Sequence, residues 1–281
     1  MELTILSVCL ITYNHNNFIR QTIESLLMQK TSFPFMIVIG EDYSTDDTAD
    51  IVMEYVNKYP RIIKAICNSQ NIGAMANLIK TLQECEGKYI AYCEGDDYWT
   101  DPYKLQKQVD FLEANPECSL CCHMVGRINC ENGVEEMSDL INENRYLTNE
   151  EIILAHGMKT PTLSYLFRNQ HIKNLPIWVQ KAPIGDIPLV YYLMMNGKVF
   201  CFKDKMGIYR INSPNSWSVS QRKSSLLKTF KFRIKYDAFI QAFNEYSNCR
   251  YKKELALSDA HRSRLKLLFI HYMVFLYRLF Y

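Results

Sequence analysis

The first hundred residues alternate between buried-strand and amphipathic-helix patterns, and this alternation constrains the fold more than any other feature. Four apolar runs predict strands buried on both faces: Thr4–Ile11, Phe35–Ile39, Ile62–Cys67 and Tyr89–Cys93. Apolar residues at helical spacing predict a helix in each interval, at Phe18–Gln29, after Ser44 or Thr45, and at Ala74–Glu84. The pattern therefore predicts an α/β fold with a doubly wound, mainly parallel sheet and helices on both faces.

The rest of the chain gives a less regular pattern. Helices are predicted after Asp101-Pro102 and at Ile187–Met195, and strands are predicted at Ser119–Val125, Thr162–Phe167 and Val199–Phe202. Residues 126–160 are polar and are expected to be irregular. We divide the chain into a first part (1–125), a second part of the same domain (126–221) and a basic helical C-terminal extension (222–281).

Composition excludes several classes of protein. The 281 residues are 48% hydrophobic and 22% charged, which is unlike a collagen-like or mostly disordered chain. No apolar run reaches the about 18 residues expected of a transmembrane helix, and the run Leu3–Thr12 lacks the basic segment of a secretory signal. We therefore expect a cytoplasmic protein, working either in solution or at the inner face of the cytoplasmic membrane.

Ten cysteines raise the question of disulfides or zinc. Cys9, Cys67, Cys93 and Cys201 lie in apolar runs, which predicts buried thiols in a reducing compartment. The group from Cys118 to Cys130 has one half of a zinc-site spacing, but no paired second half follows it. A buried strand is the favoured interpretation of that segment.

An acidic cluster, Glu94, Asp96 and Asp97, directly follows the fourth predicted strand. Ligands of open parallel sheets lie beyond the carboxyl ends of the strands. Three neighbouring carboxylates repel one another unless a cation lies among them, and oxygen ligands suit Mg²⁺ or Mn²⁺. A solvated acidic turn is the simpler alternative, but Tyr98 and Trp99 follow the cluster where solvent-facing residues would be expected.

Two common nucleotide-binding loops are missing from the sequence. No G-x-G-x-x-G follows the first strand and no G-x-x-x-x-G-K-[ST] occurs, which disfavours dinucleotide oxidoreductases and P-loop proteins. A nucleotide could be held by side chains instead. Asp42 can accept a hydrogen bond from a base and Tyr13 can pack on it, while a divalent ion holds a diphosphate.

Four segments, in order, resemble motifs of family 2 glycosyltransferases. They are Ser7–Asn14 (SVCLITYN), Gly40–Thr48 (GEDYSTDDT), Asn71–Asn77 (NIGAMAN) and Glu94–Pro102 (EGDDYWTDP). Glu41, Tyr43 and Glu94 depart from the family's motifs, and Ala76 stands where the family often has a basic residue. The resemblance implies a GT-A fold and transfer of a sugar, with inversion, from a nucleotide-diphosphate donor, most simply a UDP-sugar.

The resemblance makes residues 1–125 the donor-binding part and residues 126–221 the acceptor-side part, with the catalytic base. It also implies roles for individual residues. Donor-binding residues would be Thr12, Tyr13, Asn14, Asp42, Asn71, Glu94 and Asp97, with Asp42 on the base. Asp96 would be the main ligand of Mn²⁺ or Mg²⁺, with Glu94 as a second ligand. Asp186 stands where the family has its catalytic base; the alternative is an ordinary helix N-cap. Arg210 and Trp217 lie in a segment expected to contact the donor phosphate and sugar, or else to form a structural aromatic corner.

Charge is distributed unevenly along the chain. Residues 1–140 have a net charge of −11, residues 141–281 have +13, and residues 222–281 alone have +9. Basic residues beside the apolar segment 267–277 suggest a helix at an anionic membrane surface. The alternatives are a helix docked in the protein's own core or in a homodimer interface. No nucleic-acid-binding module accompanies the charge, so nucleic acid is not an expected partner.

These observations predict a metal-dependent glycosyltransferase whose acceptor is a saccharide or a lipid-linked saccharide, in cell-surface polysaccharide synthesis. Two alternatives stay open at this point. One is a non-catalytic nucleotide-sugar-binding partner protein, which the departures at Glu94 and Ala76 would permit. The other is a nucleotidyltransferase, which would use the same sheet and metal.

Overall fold

A computed structural model of the chain describes residues 4–136, 141–214, 216–222 and 224–260. Its strands are β1 (Leu6–Thr12), β2 (Phe35–Glu41), β3 (Ile63–Cys67), β4 (Tyr89–Glu94), β5 (Tyr98–Trp99), β6 (Cys118–Asn129), β7 (Glu135–Glu136), β8 (Arg145–Leu147), β9 (Leu166–Arg168) and β10 (Lys198–Ile211). Its helices are α1 (Ile19–Leu27), α2 (Thr48–Lys58), α3 (Ala74–Gln83), α4 (Lys104–Ala114), α5 (Asn149–Leu154), α6 (Ile177–Gln180), α7 (Asp186–Met195), α8 (Trp217–Arg222), α9 (Leu226–Tyr246) and α10 (Lys252–Ala260).

The strands form one mixed sheet in the order β3-β2-β1-β4-β9-β6-β10-β5, with β7 beside β6 and β8 beside β10. The long strands β1, β2, β3, β4, β6 and β10 all run in the same direction, and the short ones β5, β7, β8 and β9 run antiparallel to them. The predicted α/β sheet with helices on both faces, and the four predicted strands of the first hundred residues, are confirmed.

The two faces of the sheet bury separate clusters. In β1, Val8 and Leu10 pack with α1, α2 and α4 on one face, while Cys9 and Ile11 pack with α3, α7 and α9 on the other. This alternation follows from the pleat, because successive side chains of a strand point to opposite faces. Burying a side chain such as Leu10 contributes about 1.5–3 kcal/mol, so both clusters stabilise the sheet.

Three sequence-based expectations about the fold are wrong in detail. Residues Thr162–Ser164 form a 3-10 turn, so the strand predicted at Thr162–Phe167 is only Leu166–Arg168. Residues 126–160 are not irregular throughout, since they include the end of β6 together with β7, β8 and α5. Cys67 ends the edge strand β3 and is exposed.

The basic extension is helical where the structure describes it, in α9 and α10. The aromatic face of α9 docks on the domain itself: Phe243 lies 4.7 Å from Tyr191 and 5.6 Å from Trp178 between ring centroids. Lys228, Lys231 and Lys235 lie on its exposed side. The apolar segment 267–277 lies outside the described residues. Within them, every helix is too short or too polar to span a bilayer.

Candidate active site

Three neighbouring strands deliver the predicted site residues to one edge of the sheet. In the parallel register of β2, β1 and β4, Thr12 lies opposite Glu41 and Ile11 lies opposite Glu94. The segments that follow these strands contain Tyr13, Asp42 and the acidic cluster Glu94–Asp97. The structure therefore brings the three strand ends together, as the strand order predicts.

Hydrogen bonds interlock the segments that follow β1 and β2. Asn14 N donates to Ser44 Oγ (3.0 Å), and Thr45 N donates to Asn14 Oδ1 (2.8 Å). His15 N donates to Thr48 Oγ1 (2.8 Å). Asn14 has a positive φ of 55°, a conformation that asparagine tolerates better than most residues. Asn14 thus shapes the wall of the predicted donor site through its backbone and its amide oxygen.

Asp42 is nearly inaccessible (2% exposed) and its carboxylate organises the next loop. Oδ1 accepts hydrogen bonds from Asn68 Nδ2 (3.0 Å) and Ile72 N (2.9 Å), and Oδ2 accepts one from Gly73 N (2.9 Å). Asn71 Nδ2 donates to the carbonyl oxygen of Asp42 (3.2 Å), so these two predicted donor-binding residues are in contact. Gly73 has φ of 88°, which favours glycine.

A lysine that sequence reasoning missed lies beside this loop. Lys80 Nζ donates to Asn68 Oδ1 (2.7 Å), and Asn68 in turn donates to Asp42. Lys80 is one helical turn after Ala76 on α3, so the two residues share a face. That i, i+4 spacing is the signal that could have identified a basic residue here.

The acidic cluster is compact and largely withdrawn from water. One carboxylate oxygen of each of Glu94, Asp96 and Asp97 lies within 4.8 Å of the others. Asp96 is 8% exposed and Asp97 is inaccessible. Burial, followed by the charges of Asp96 and Asp186, raises the pKa of Glu94 to about 8. Burial and then Asp96 and Glu94 raise the pKa of Asp97 well above its usual range.

One oxygen of Asp97 fits a bound cation. Oδ1 accepts a hydrogen bond from Arg210 N (2.9 Å), whereas the buried Oδ2 has no hydrogen-bond partner in the part of the chain that the structure describes. A buried oxygen without a partner loses its contact with water, and this costs free energy. A bound cation would compensate for that loss. Among the described residues, the His, Cys, Asp and Glu groups that could hold a metal consist of this cluster. The donor set, three carboxylates, is that of a Mg²⁺ or Mn²⁺ site.

Close approach of the acidic cluster to β1 depends on Gly95. A Cβ at Gly95 would lie 2.4 Å from Thr12 Oγ1 and 2.7 Å from His15 Nδ1, which no side chain can accept. Thr12 Oγ1 and His15 Nδ1 are 3.2 Å apart, and His15 Nε2 lies 4.0 Å from Asp96 Oδ2. His15 was missed by sequence reasoning because it lies one residue beyond the matched motif.

The second half of the chain reaches the cluster through β10 and the turn after it. Ser213 Oγ donates to Asp96 Oδ2 (2.6 Å). Arg210 is buried, and its Nη1 donates to the backbone carbonyl of Asp96 (2.5 Å). Arg210 therefore joins the site, although its guanidinium contacts the backbone of the acidic cluster. Trp217 begins α8, and its side chain lies outside the described part of the structure.

Asp186 is the first residue of α7, and Gly185 occupies the N-cap position without a side-chain cap. Asp186 is therefore not an N-cap residue. Burial raises the pKa of Asp186, partly offset by hydrogen bonds from its own backbone N–H and that of Ile187. Its charge contributes to the raised pKa of Glu94, so the two carboxylates are near enough to interact electrostatically. The structure thus brings Asp186 to the acidic cluster across 89 to 92 residues of sequence.

Three tyrosines interact electrostatically with the acidic cluster and with Asp186: Tyr92 and Tyr165 are buried, and Tyr209 is half-buried. Tyr92 donates to Glu94 Oε1 (3.2 Å), and Tyr165 donates to Thr160 Oγ1 (3.3 Å). Burial, and then the charge of Asp186, raise the pKa of Tyr165. Burial, followed by Glu94, raises the pKa of Tyr209. Sequence reasoning missed all three, although Tyr92 and Glu94 share a face of β4 by their i, i+2 spacing.

Comparison with protein families gives one match that covers most of this site. Residues 7–172 match the family described as Glycosyl transferase family 2. This range includes the segments after β1, β2 and β4, and it ends before Asp186 and Arg210.

Individual proteins also resemble this chain over part of its length. An uncharacterized protein of Mycobacterium tuberculosis is 32% identical over 217 residues, which cover 75% of this chain and 60% of that protein. The chain therefore spans about 60% of the length of this relative. The Escherichia coli protein named UDP-Glc:alpha-D-GlcNAc-diphosphoundecaprenol beta-1,3-glucosyltransferase WfaP is 39% identical over 113 residues, covering 40% of this chain and 42% of that one.

Among solved structures, residues 1–349 of S. aureus TarS, in complex with UDP-GlcNAc, are similar with a TM-score of 0.63 and 17% identity. The similarity covers 94% of this chain and 77% of that one. At this identity the likeness concerns the fold, and it extends beyond residue 172 into the part of the chain that the family match does not reach.

Proposed function

This chain belongs to glycosyl transferase family 2 and has the GT-A fold, and from this premise we propose that it transfers a sugar, with inversion, from a nucleoside-diphosphate donor to a saccharide or lipid-linked acceptor. One observation carries the proposal. Three carboxylates, Glu94, Asp96 and Asp97, cluster at the edge where β1, β2 and β4 end, and the charge of a fourth carboxylate, Asp186, acts on Glu94.

The donor nucleoside lies against the ends of β1 and β2 in this proposal. Thr12, Tyr13 and Asn14 form one wall, and the loop that Asp42 holds in place, including Asn71, forms the other. A UDP-sugar is the donor we expect, and UDP-GlcNAc is bound by the similarly folded S. aureus TarS. Lys80, beside Asp42, adds a positive charge near this position.

Asp96, with Glu94 and Asp97, holds a divalent cation, Mn²⁺ or Mg²⁺. When bound, such a cation stabilises the negative charge on the departing diphosphate. The raised pKa values of Glu94 and Asp97 fit this role, because clustered carboxylates without a cation retain protons. Ser213 and Arg210 fix the position of Asp96. Trp217 stays a sequence-based candidate for a contact with the sugar.

Asp186 acts as the general base. Inversion requires the acceptor hydroxyl to attack the anomeric carbon from the side opposite the leaving diphosphate, while a base takes its proton. A partly desolvated carboxylate with a raised pKa is a better base than a fully hydrated one. The buried Tyr92 and Tyr165 limit the access of water to this space and so favour transfer over hydrolysis.

The acceptor is the least constrained part of the proposal. The E. coli relative named above is, by its name, specific for a diphosphoundecaprenol-linked sugar. We extend this to a lipid-linked or saccharide acceptor in cell-surface polysaccharide synthesis. Lys228, Lys231 and Lys235 on the exposed side of α9 would then face the anionic inner surface of the cytoplasmic membrane.

A donor-consumption assay tests the proposal without knowledge of the acceptor. The protein is incubated with a panel of UDP-, GDP- and dTDP-sugars, with Mn²⁺, with Mg²⁺ and with EDTA, and the released nucleotide is identified. We expect release of the nucleoside diphosphate from one donor, only with the divalent ion. In a parallel incubation with a nucleoside triphosphate and a sugar 1-phosphate, release of pyrophosphate would instead identify a nucleotidyltransferase. Binding of a nucleotide-sugar without any consumption would identify a non-catalytic nucleotide-sugar-binding protein.

A further inference from the structure

The guanidinium of Arg210 is enclosed by protein on every side that the structure describes. Arg210 is 8% exposed, near the carboxyl end of β10. Its guanidinium carbon lies 4.8 Å from the ring centroid of Phe18 and 4.6 Å from that of Tyr98. Nη1 donates to the backbone carbonyl of Asp96 (2.5 Å), and Nη2 donates to Gln21 Oε1. Phe18 and Gln21 come from the start of α1, and Tyr98 comes from β5.

The backbone and neighbours of Arg210 hold the same segment. Arg210 N donates to Asp97 Oδ1 (2.9 Å), and Ser213 Oγ donates to Asp96 Oδ2 (2.6 Å). Strand β10 also pairs with β5 directly after the acidic cluster, where Ile208 lies opposite Tyr98. The carboxyl end of β10 and the turn after it thus contact the backbone and the side chain of Asp96. They also contact the side chain of Asp97.

We infer that Arg210 is a positioning residue that fixes Asp96 and Asp97 for metal binding and does not contact the donor diphosphate. This inference rests on the proposed function, and it differs from the sequence-based expectation of a phosphate contact. A planar guanidinium between two rings, bonded at both ends, is a rigid support. Such a support is needed because Asp96 and Asp97 repel each other and must still present their oxygens together.

A direct phosphate contact would require a different arrangement. The side chain would have to leave Phe18 and Tyr98 and give up its hydrogen bonds to Asp96 and Gln21. The two roles therefore differ in the part played by Gln21, which contacts the guanidinium from α1. If Arg210 positions the acidic cluster, loss of Gln21 weakens metal binding; if Arg210 binds phosphate, loss of Gln21 leaves metal binding unchanged.

The test is a Mn²⁺ titration of the full-length protein without nucleotide, followed by electron paramagnetic resonance. The variants are Arg210→Lys, Gln21→Ala and the double variant. We expect Arg210→Lys to lower Mn²⁺ affinity by about 10-fold or more, as for other groups that orient a metal ligand. Gln21→Ala should lower it less, and the double variant should be no worse than Arg210→Lys.

Arg222→Ala is the matched control. Arg222 is the last residue of α8, is exposed and donates to Asn212 Oδ1, so its loss should leave Mn²⁺ affinity unchanged. In parallel, the affinities for UDP and UMP are measured in EDTA. Without a metal, the difference between the two affinities reflects direct contacts of the protein with the second phosphate. We expect Arg210→Lys to leave the ratio of these two affinities as in the wild type.

Two outcomes would overturn the inference. Wild-type Mn²⁺ affinity in both Arg210→Lys and Gln21→Ala, with a reduced preference for UDP over UMP in Arg210→Lys, would make Arg210 a phosphate ligand. Failure of the wild-type protein to bind Mn²⁺ would overturn the proposed metal site itself, and the role of Arg210 with it. Circular dichroism identifies a variant that does not fold; if Arg210→Lys is lost in this way, Gln21→Ala decides.

Discussion

The described residues of 4–125 and those of 126–260 contribute to the candidate site in different ways. In the first region every residue predicted from the sequence lies within a few positions of the end of a strand, as Asp42 and Asp96 do. In the second region the contributing residues, Asp186, Arg210 and Ser213, lie in unrelated local settings: the start of a helix, the end of a long strand and a turn. The comparison teaches that the proposed donor side of the site is encoded locally, whereas its support and the proposed base depend on tertiary structure.

The largest effect expected is that of Asp96→Asn in the first region. The loss of the central carboxylate should reduce sugar transfer by at least about 100-fold, since a bound cation supplies several kcal/mol of stabilisation to the transition state. Circular dichroism should be unchanged. The control is Asp110→Asn on α4, an exposed carboxylate hydrogen-bonded to Gln106, which should keep wild-type activity. Full activity of Asp96→Asn would remove Asp96 from the metal site.

In the second region, Asp186→Asn should reduce kcat by about 10²–10⁴-fold, the usual contribution of a general base. KM for the donor should change little, because Asp186 is proposed to contact the acceptor hydroxyl. Asp204→Asn, in β10, provides a carboxylate control on the same half of the chain. An equal loss in donor binding and in kcat would argue that Asp186 belongs to the donor side, and the division between the two regions would fail.

A buried lysine lies where the two regions meet and predicts a pH-dependent stability. Lys104 Nζ donates to Gln108 Oε1 (2.7 Å), and Gln108 donates to the carbonyl oxygens of Cys121 and Ser164. Burial lowers the pKa of Lys104 to about 7. Between pH 7 and the unfolded value of about 10.4, the unfolded chain holds a proton that the folded chain lacks, so stability rises with pH across this window.

Replacing Lys104 by Met should remove this dependence. On going from pH 9 to pH 7, the wild type should lose about 2–3 kcal/mol more unfolding free energy than Lys104→Met does. Urea unfolding at both values measures it. Lys107→Met is the control. Lys107 lies on the same helix but is exposed, so this variant should show no such change. If the unfolding free energies of wild type and Lys104→Met differed by the same amount at both pH values, Lys104 would be protonated in the folded protein throughout this range.

The smallest effect concerns Tyr43, which stands where the family motif has glycine. Its φ of +61° is in the left-handed region, and 53% of the residue is exposed. Tyr43→Gly should relieve about 1 kcal/mol of backbone strain and lose little burial, raising Tm by about 2–4 °C. Tyr103→Gly is the control, since Tyr103 is similarly exposed (49%) with an ordinary φ of −107° and should lose stability. A lower Tm for Tyr43→Gly would show that the ring contributes to packing.

The sequence predicted the first region well because its signals are local. Apolar runs marked β1 to β4, and polar residues at their ends marked Thr12, Asp42 and Asp96. The prediction that residues 126–160 are irregular was wrong. Strand β6 continues to Asn129 because it pairs with β10, and this long-range contact leaves no local signal in the sequence. The helix α5 did have a local signal that was overlooked, the capping box of Thr148 and Glu151.

The support of the acidic cluster could not be predicted from pattern. Ser213 and Asp96 are 117 residues apart, and Arg210 and Asp97 are 113 residues apart. Neither residue type nor spacing distinguishes Arg210 the phosphate ligand from Arg210 the positioning residue. Only the enclosure of its guanidinium by Phe18, Tyr98 and Gln21 does so, and that enclosure arises when α1, β5 and β10 pack together.

Calorimetric titration of UDP into Asp96→Asn and Asp186→Asn, each with Mn²⁺ and with EDTA, tests the division of the site most directly. The account predicts that Asp96→Asn loses the part of UDP affinity that depends on Mn²⁺. It predicts that Asp186→Asn keeps wild-type affinity under both conditions while it fails to transfer sugar. If Asp186→Asn lost the Mn²⁺-dependent affinity and Asp96→Asn retained it, the assignment of the metal to the first region and of the base to the second would be contradicted.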